Sequence, residues 1–314
     1  MIQGLLSHPR RAGLIRLNTS VTEIVELSNS RFRLVSGTGE TIEADHVVLG
    51  CGRTSHRFLE RVFATLGIEW EHNLPDVGIR LEAPRALFTP EFTYQVDPKY
   101  KFVHFPYGTS RTFCGCDGGL IVPVKFGNSF YADGAFGDDF TDSSNLAFMV
   151  RSQKPLSTRD LERWCSAVNA SARGNLLLGE VLLDVDNPRK LVAAILALIP
   201  HWPTENHWMI VSELLNLTLG AHVTLLKRSE SGSAFIKVYG PAIDLYWPRP
   251  KLARGLRTSM NGLFVLGDVT GVSRGFVQAM VSGAAWAMTH LAKFSRPNAV
   301  HSVRKEVREW SVLA

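Results

Sequence analysis

Short alternating runs of hydrophobic and polar residues open the chain. Three of them, Ser20 to Leu27, Arg31 to Ser36 and Glu40 to Ala44, are separated by Asn, Ser and Gly positions that favour turns. Alternate side chains point to opposite faces of a strand, so this pattern predicts a small antiparallel meander. The run Leu14 to Leu17 predicts one more short strand before it.

A different pattern, a short buried strand that leads through glycines into a helix, occurs twice in the chain. β-Branched and other apolar residues without polar partners are typical of strands buried in parallel sheets. Apolar positions three and four residues apart then predict the helices. The segments are His46 to Leu49 with a helix over Ser55 to Leu66, and Gly262 to Gly267 with a helix over Phe276 to Phe294.

Between these two segments the pattern consists mainly of short alternating strands, with helices predicted over Thr158 to Ser171 and Pro188 to Leu198. We therefore predict the α/β fold class, with a discontinuous first domain over 1–75 and 251–296. An α+β domain over 76–250 is inserted into it, and 297–314 form a C-terminal tail.

Composition excludes several classes of protein. The chain is 45% hydrophobic and 20% charged, the ordinary mix of a globular protein. Its longest apolar runs are shorter than the roughly 18 residues that a membrane helix needs, so no membrane partner is expected. Four scattered cysteines do not form a disulfide framework, which favours the cytoplasm. The net charge of +5 is spread along the chain, so nucleic acid is not expected as a partner.

The strongest chemical motif is Gly262-Leu263-Phe264-Val265-Leu266-Gly267-Asp268, followed by Gly271, Arg274, Gly275 and the helix that begins at Phe276. Glycines allow a ligand to approach the backbone closely, and a helix N-terminus attracts phosphate. A carboxylate at the end of the strand can accept hydrogen bonds from sugar hydroxyls. The pattern alone fits a ligand site and a plain strand–turn–helix corner equally well.

An ordered series of segments resembles the FAD-dependent dehydrogenases usually called uncharacterised, which are flavoproteins of the two-dinucleotide-binding-fold type. Over most of the chain these segments are Asp76-Val77-Gly78-Ile79-Arg80-Leu81-Glu82, Phe113-Cys114-Gly115-Cys116-Asp117-Gly118-Gly119, Gly240 to Pro250, Leu256 to Ser259, the strand ending in Asp268, and Arg274 to Ala279. His46 to Arg53 is similar to the strand end that lies against FAD in this superfamily.

The resemblance implies a partial Rossmann-like FAD-binding domain and FAD as cofactor. It implies that Asp268 meets the flavin ribitol and that the backbone from Arg274 to Phe276 faces the flavin ring. The cofactor-binding residues expected from the motif and the resemblance together are Gly50, Gly52, Gly267, Asp268, Gly271, Arg274, Gly275 and Phe276. Where the family usually has Gly or Ala after the Gly-Asp pair, this chain has Val269 and Thr270, whose bulk would oppose a close backbone approach.

The resemblance also implies an opening strand, a Gly-x-Gly-x-x-Gly turn and a helix, and nothing upstream of Val47 matches them. We therefore expect that the first βαβ is missing and that the chain is the C-terminal part of a split or truncated flavoprotein. Its partner would be an upstream-encoded N-terminal half. A competing interpretation takes Gly50 to Ser55 as an NAD-type turn with Glu69 as the ribose ligand, but Ser55 replaces the third glycine.

The function that the sequence predicts is an FAD-dependent oxidoreductase that transfers hydride through the flavin to or from an unknown small-molecule substrate. The inserted domain would cover the flavin and select that substrate. No catalytic residue stands out, and no metal site is predicted. Two alternatives stay open: a non-catalytic remnant that keeps the fold without FAD, and an RNA-modifying flavoprotein, which would need a basic face. Cys114 and Cys116, two apart in a predicted strand, are interpreted as packed thiols on one face.

Overall fold

The computed structural model describes most of the chain and divides it into two compact units. One unit comprises Met1–Glu71 and Trp247–Ala314, and the other comprises His72–Tyr246. The residues described are 15–28, 30–52, 55–71, 74–94, 97–152, 156–183, 186–199, 201–226, 235–244, 248–273 and 275–294. The fold is mixed α/β, with one six-stranded sheet and several smaller ones. The predicted roles of the two domains, cofactor binding and substrate selection, remain predictions.

The first unit contains the predicted meander and the parallel strand pair. The elements of this unit are β1 (Val21–Leu27), β2 (Arg31–Ser36), β3 (Thr41–Ala44), β4 (Val47–Leu49), α1 (His56–Thr65), β5 (Trp70–Glu71), β14 (Arg249–Pro250), β15 (Leu263–Val265) and α6 (Phe276–Phe294). The meander is antiparallel in the order β1–β2–β3, and it carries exposed ion pairs such as Arg31 with Asp45. β4 and β15 pair in parallel, in register from Val47 with Leu263 to Leu49 with Val265.

The elements of the second unit are β6 (Asp76–Pro84), α2 (Arg85–Tyr94), β7 (Lys101–His104), β8 (Gly108–Cys116), β9 (Leu120–Phe126), β10 (Ser129–Ala135), β11 (Ser143–Ser152), α3 (Thr158–Ser171), β12 (Leu177–Leu182), α4 (Pro188–Ala197), α5 (Glu205–Leu226) and β13 (Phe235–Asp244). Six of these strands form an antiparallel sheet in the order β12–β13–β6–β11–β8–β7. The other two, β9 and β10, form a separate hairpin, and the described part of the unit contains four helices.

The two faces of this sheet have different chemistry because side chains alternate along each strand. In β6, Val77, Ile79 and Leu81 are buried, and the last two belong to a core that includes side chains of α4 and α5. Asp76 and Arg80, which alternate with these residues along the strand, are charged and also buried. Buried charges require partners, and both side chains have them: Arg80 donates to the oxygen atoms of three other residues, and Asp76 pairs with two arginines.

Three sequence predictions differ from the structure. The predicted strand over Leu14 to Leu17 is wrong for its described part, because Ile15 and Arg16 have no regular structure and Leu17 lies in a turn. The shared face of Cys114 and Cys116 is interrupted, because Cys114 has a φ of 45° and a register irregularity separates Asn145 from Ala147 in the opposing strand. A bulge of this kind re-aims the side chains that follow it. Helices α2 and α5 were not anticipated.

His207, in the first turn of α5, makes the stability of this unit sensitive to pH. The ring is fully buried, its Nδ1 lies 2.5 Å from Thr204 Oγ1, and burial lowers its pKa to about 4. The unfolded chain, with an ordinary histidine pKa near 6.5, binds the proton more readily than the folded chain. The folded state is therefore stable with neutral His207 above pH 6.5, and it loses stability relative to the unfolded chain as the pH falls from 6.5 towards 4.

We expect the free energy of unfolding to fall by up to roughly 3 kcal/mol between pH 7 and pH 4 through this histidine alone. Urea denaturation of the wild type and of His207→Leu across this range measures the effect, because the variant cannot take up the proton. The wild type should lose more stability than the variant on acidification. Parallel curves for the two proteins would show that His207 does not titrate as its burial requires.

Candidate cofactor site

The two parallel strands bring two distant glycine segments together. Because β4 and β15 run in the same direction, their carboxyl ends meet at one edge. Gly50 and Gly52 follow β4, and Gly267 and Asp268 follow β15. The main-chain N–H of Leu266 donates to the carbonyl of Leu49 at 2.8 Å and holds the two strand ends together. The carboxyl edge of parallel strands is where ligands bind in open α/β folds.

A tight turn connects β15 to α6 and fixes Asp268 near the start of the helix. Gly267–Thr270 form a single 3-10 turn, which ends at Gly271 with a φ of 72°. Asp268 Oδ1 accepts a hydrogen bond from the N–H of Gly275 at 3.2 Å, and Gly275 itself has a φ of 98°. Left-handed backbone of this kind favours glycine, which explains both glycines in the motif.

Val269 and Thr270, which stand where small residues were expected, are both buried, and neither lines the cavity described below. The hydroxyl of Thr270 donates to the carbonyl of Gly267 at 2.7 Å and accepts from the N–H groups of Val272 and Ser273. These hydrogen bonds stabilise the turn.

A cavity of about 530 Å³ lies where these segments meet. This volume is within the range of roughly 300–1,000 Å³ that is usual for ligand pockets. A Cβ atom added at Gly50, Gly52 or Gly283 would meet no other atom within 4 Å, so these three glycines leave open backbone surface. The cavity is lined by Gly50, Cys51, Gly52, Leu266, Gly267, Asp268, Gly275, Phe276, Ala279 and Gly283.

Six of the eight residues predicted to bind the cofactor line this cavity. Of the other two, Gly271 is not among the lining residues, and a Cβ there would lie 3.0 Å from Arg249 Cγ. Arg274 lies outside the described residues. The remaining four lining residues, Cys51, Leu266, Ala279 and Gly283, were not among the predicted cofactor-binding residues. Ala279 and Gly283 could have been suggested by their spacing, because small residues four positions apart lie on one side of a helix.

Thiol chemistry is not favoured at this site or at the Cys-x-Cys segment. Burial raises the pKa of Cys51, and a hydrogen bond with Ser55 offsets only part of the effect. In the second unit, burial raises the pKa of Cys114 and raises that of Cys116 to about 11. Because the thiolate is the reactive form, these environments support the interpretation of packed thiols.

The competing NAD interpretation is not supported by the position of Glu69. Its Oε2 lies 2.6 Å from Lys251 Nζ in an exposed ion pair, and the hydrogen bond from Lys251 lowers the pKa of Glu69. Glu69 does not line the cavity at Gly50 and Gly52. A ribose-binding carboxylate should face the cofactor that the glycine turn holds.

Comparisons with known proteins give only distant matches. No protein-family model and no curated protein matches the chain. A structure described as an FAD-containing monooxygenase from Photorhabdus luminescens subsp. laumondii TTO1 is 11% identical, with a TM-score of 0.36, over 96% of this chain and 66% of the other. The structure of 2,6-dihydroxypyridine-3-hydroxylase from Arthrobacter nicotinovorans is 12% identical, with a TM-score of 0.38, over 98% of this chain and 61% of the other. This chain thus spans less than two thirds of their length.

Among the described residues, none of the helices combines the length and the apolar character needed to cross a bilayer.

Proposed function

We propose that the chain is part of a flavin-dependent oxidoreductase and that the cavity between Gly50 and Asp268 holds FAD. The observation that carries this proposal is the convergence of two parallel strand ends, their glycines, one carboxylate and a helix N-terminus on a single cavity. Such convergence is the usual architecture of a dinucleotide site in α/β folds. The more specific resemblance to uncharacterised FAD-dependent dehydrogenases is part of this proposal.

The lining residues fit the parts of the cofactor that they would contact. Open backbone at Gly50, Gly52 and Gly283 suits a ligand that must lie against the main chain. The carboxylate of Asp268 can accept hydrogen bonds from ribitol hydroxyls, and the N-terminus of α6, whose Phe276 lines the cavity, favours an electron-rich acceptor. FAD, when bound, would supply the hydride chemistry, while these residues bind and orient it.

We propose further that an upstream-encoded N-terminal half completes the site. Among the described residues, β4 pairs only with β15, so its other edge has no strand beside it. Val48, in the middle of β4, is 37% exposed although strands of this composition are normally buried. An open, apolar edge invites an added strand. Flavin content and solubility should therefore rise together when the chain is co-produced with such a segment.

Asp268→Ala should weaken FAD binding about ten- to a hundredfold without unfolding the chain. The substitution removes a charge-assisted hydrogen bond to the cofactor, which is worth roughly 1.5–3 kcal/mol. The measurement is a titration with FAD, followed by quenching of flavin fluorescence, in the context in which the wild type binds best. Far-UV circular dichroism checks the fold of each variant.

Asp45→Ala is the matched control, because Asp45 is an exposed carboxylate of the same unit that does not line the cavity. It should bind FAD as the wild type does. Equal FAD affinities of Asp268→Ala and the wild type would remove Asp268 from the site. A folded wild type that binds no FAD, alone or with the upstream segment, would favour the non-catalytic remnant instead.

A further inference from the structure

One face of the six-stranded sheet carries several cations near its β7 edge. Lys101 of β7 lies directly opposite Arg111 of β8 in the register of this antiparallel pair. Residues opposite each other share a face of the sheet, and like charges in such positions repel. Lys99 also reaches this face, because its Nζ and the Cζ of Arg111 both lie 4.4 Å from the centre of the Phe113 ring. Three cations thus share one edge of this face.

Arg111 is oriented by buried carboxylates and keeps one donor group unused. Its Nε donates to Asp76 at 2.6 Å, and its Nη2 donates to Asp244 at 2.6 Å. Asp76 is only 1% exposed and Asp244 is fully buried, so the guanidinium group is held in place. Its Nη1 donates to none of the residues that the structure describes, and 20% of the side chain is exposed. A small anion can therefore reach a preorganised donor, which lowers the entropic cost of binding.

Lys101 supplies a positive charge that no described carboxylate offsets. The residue is exposed, and it forms no ion pair within the described part of the chain. Lys99, by contrast, pairs with Asp97 at 2.7 Å. The two buried carboxylates balance the charges of Arg111 and Arg151. The face therefore has an excess of positive charge, which favours an anionic ligand.

Apolar side chains lie beside these cations on the same face. Val103 comes two residues after Lys101 in β7, so both side chains point to one side of the sheet. Val103 is 74% exposed. Phe113, two residues after Arg111, is half-buried and packs against a small buried apolar cluster. This combination suits a ligand with a carboxylate at one end and an apolar body at the other.

We propose that this face of the sheet binds a small organic carboxylate that has an apolar body. Arg111 Nη1 and Lys101 Nζ donate to the carboxylate, whereas Val103 and Phe113 contact the apolar part. The site belongs to the His72–Tyr246 unit and uses none of the residues that line the proposed FAD cavity. The proposal is therefore independent of the proposed function, and its test needs no flavin.

Isothermal titration calorimetry of the full chain with benzoate, at constant ionic strength, tests the proposal. Benzyl alcohol and acetate should each bind at least about tenfold more weakly than benzoate, because one lacks the charge and the other the apolar body. Lys101→Gln should weaken benzoate binding about tenfold, because it removes a charge-assisted hydrogen bond. Lys125→Gln is the matched control, since Lys125 is also exposed but lies in β9, outside the six-stranded sheet. The control should bind benzoate as the wild type does.

Photolabelling with 4-azidobenzoate, followed by mass spectrometry of the peptides, locates the bound carboxylate. Label should appear on peptides that contain residues 99–113, and excess benzoate should suppress it. Label confined to other peptides, or label that benzoate does not suppress, would overturn the proposal. The same holds if benzoate does not bind, if benzyl alcohol or acetate binds as tightly as benzoate, or if Lys101→Gln keeps the wild-type affinity.

Discussion

Replacement of Gly275 by valine is expected to abolish detectable FAD binding, with a loss of affinity of more than about a hundredfold. Gly275 has a φ of 98°, which a β-branched residue adopts only at a cost of about 1–3 kcal/mol. Its N–H donates to Asp268, and an added Cβ would lie 2.7 Å from Gln278 Oε1. The new side chain would also stand beside the cavity that Gly275 lines. Flavin fluorescence titration measures the loss.

Gly67→Val is the matched control for backbone strain. Gly67 has a φ of 62° in the same unit, and a Cβ there would meet no atom within 4 Å. The control should lose stability through the same kind of strain and keep its FAD affinity. If Gly275→Val retained the FAD affinity of the wild type, Gly275 would be a turn residue and the proposed position of the cofactor would be wrong.

Asp76→Asn is expected to lower the free energy of unfolding by about 3–5 kcal/mol, a large part of a typical domain's stability. Asp76 is only 1% exposed, and its carboxylate pairs with both Arg111 and Arg151. Arg111 also donates to the buried Asp244 at 2.6 Å. Asp244 lies opposite Asp76, in the neighbouring strand β13. Removing one charge would leave the two arginines with a single carboxylate between them. Guanidinium denaturation gives the change in stability.

Glu69→Gln supplies the control for this comparison, because its ion pair with Lys251 is exposed on both sides. Exposed ion pairs contribute little to stability because water and salt screen them, so the control should unfold close to the wild type. Equal midpoints for Asp76→Asn and Glu69→Gln would mean that the buried cluster contributes little, and that the Asp76 segment is held by packing alone.

Helices with strong local signals were predictable from the sequence, and those without them were not. The predicted helix over Thr158 to Ser171 matches α3, whose start is marked by the Ser157 N-cap. α2 was missed because Pro90 lies within it and normally ends a helix. α5 was missed because its apolar residues are nearly continuous, so they do not show the one-sided period of an amphipathic helix.

The strand order and the buried charges could not be derived from local pattern. β6 lies between β11 and β13 in the sheet. Glu82 of β6 pairs with Lys237 of β13, and these two residues are 155 positions apart in the sequence. The alternating pattern of β6 predicts that the charge of Arg80 is exposed. Its burial depends on Asp133 and Asn145, which only the three-dimensional topology brings to it.

The candidate site was partly predictable, because glycines and an aspartate at the ends of buried strands are common at ligand sites as well as in plain turns. The motif and the family resemblance together singled out Gly50, Gly52 and Asp268, and the parallel pairing of β4 with β15 brings them to one cavity. It did not reveal Ala279 and Gly283, since small residues on a helix usually serve packing. Whether these residues bind a cofactor stays a prediction.

The central claim, that FAD occupies the cavity between Gly50 and Asp268, is tested most directly by photolabelling the full chain with 8-azido-FAD and mapping the modified peptides by mass spectrometry. We expect label on peptides that contain Gly50 to Gly52 or Gly275 to Gly283, and we expect excess FAD to suppress it. Label confined to peptides of the His72–Tyr246 unit, or label that excess FAD does not suppress, would contradict the claim.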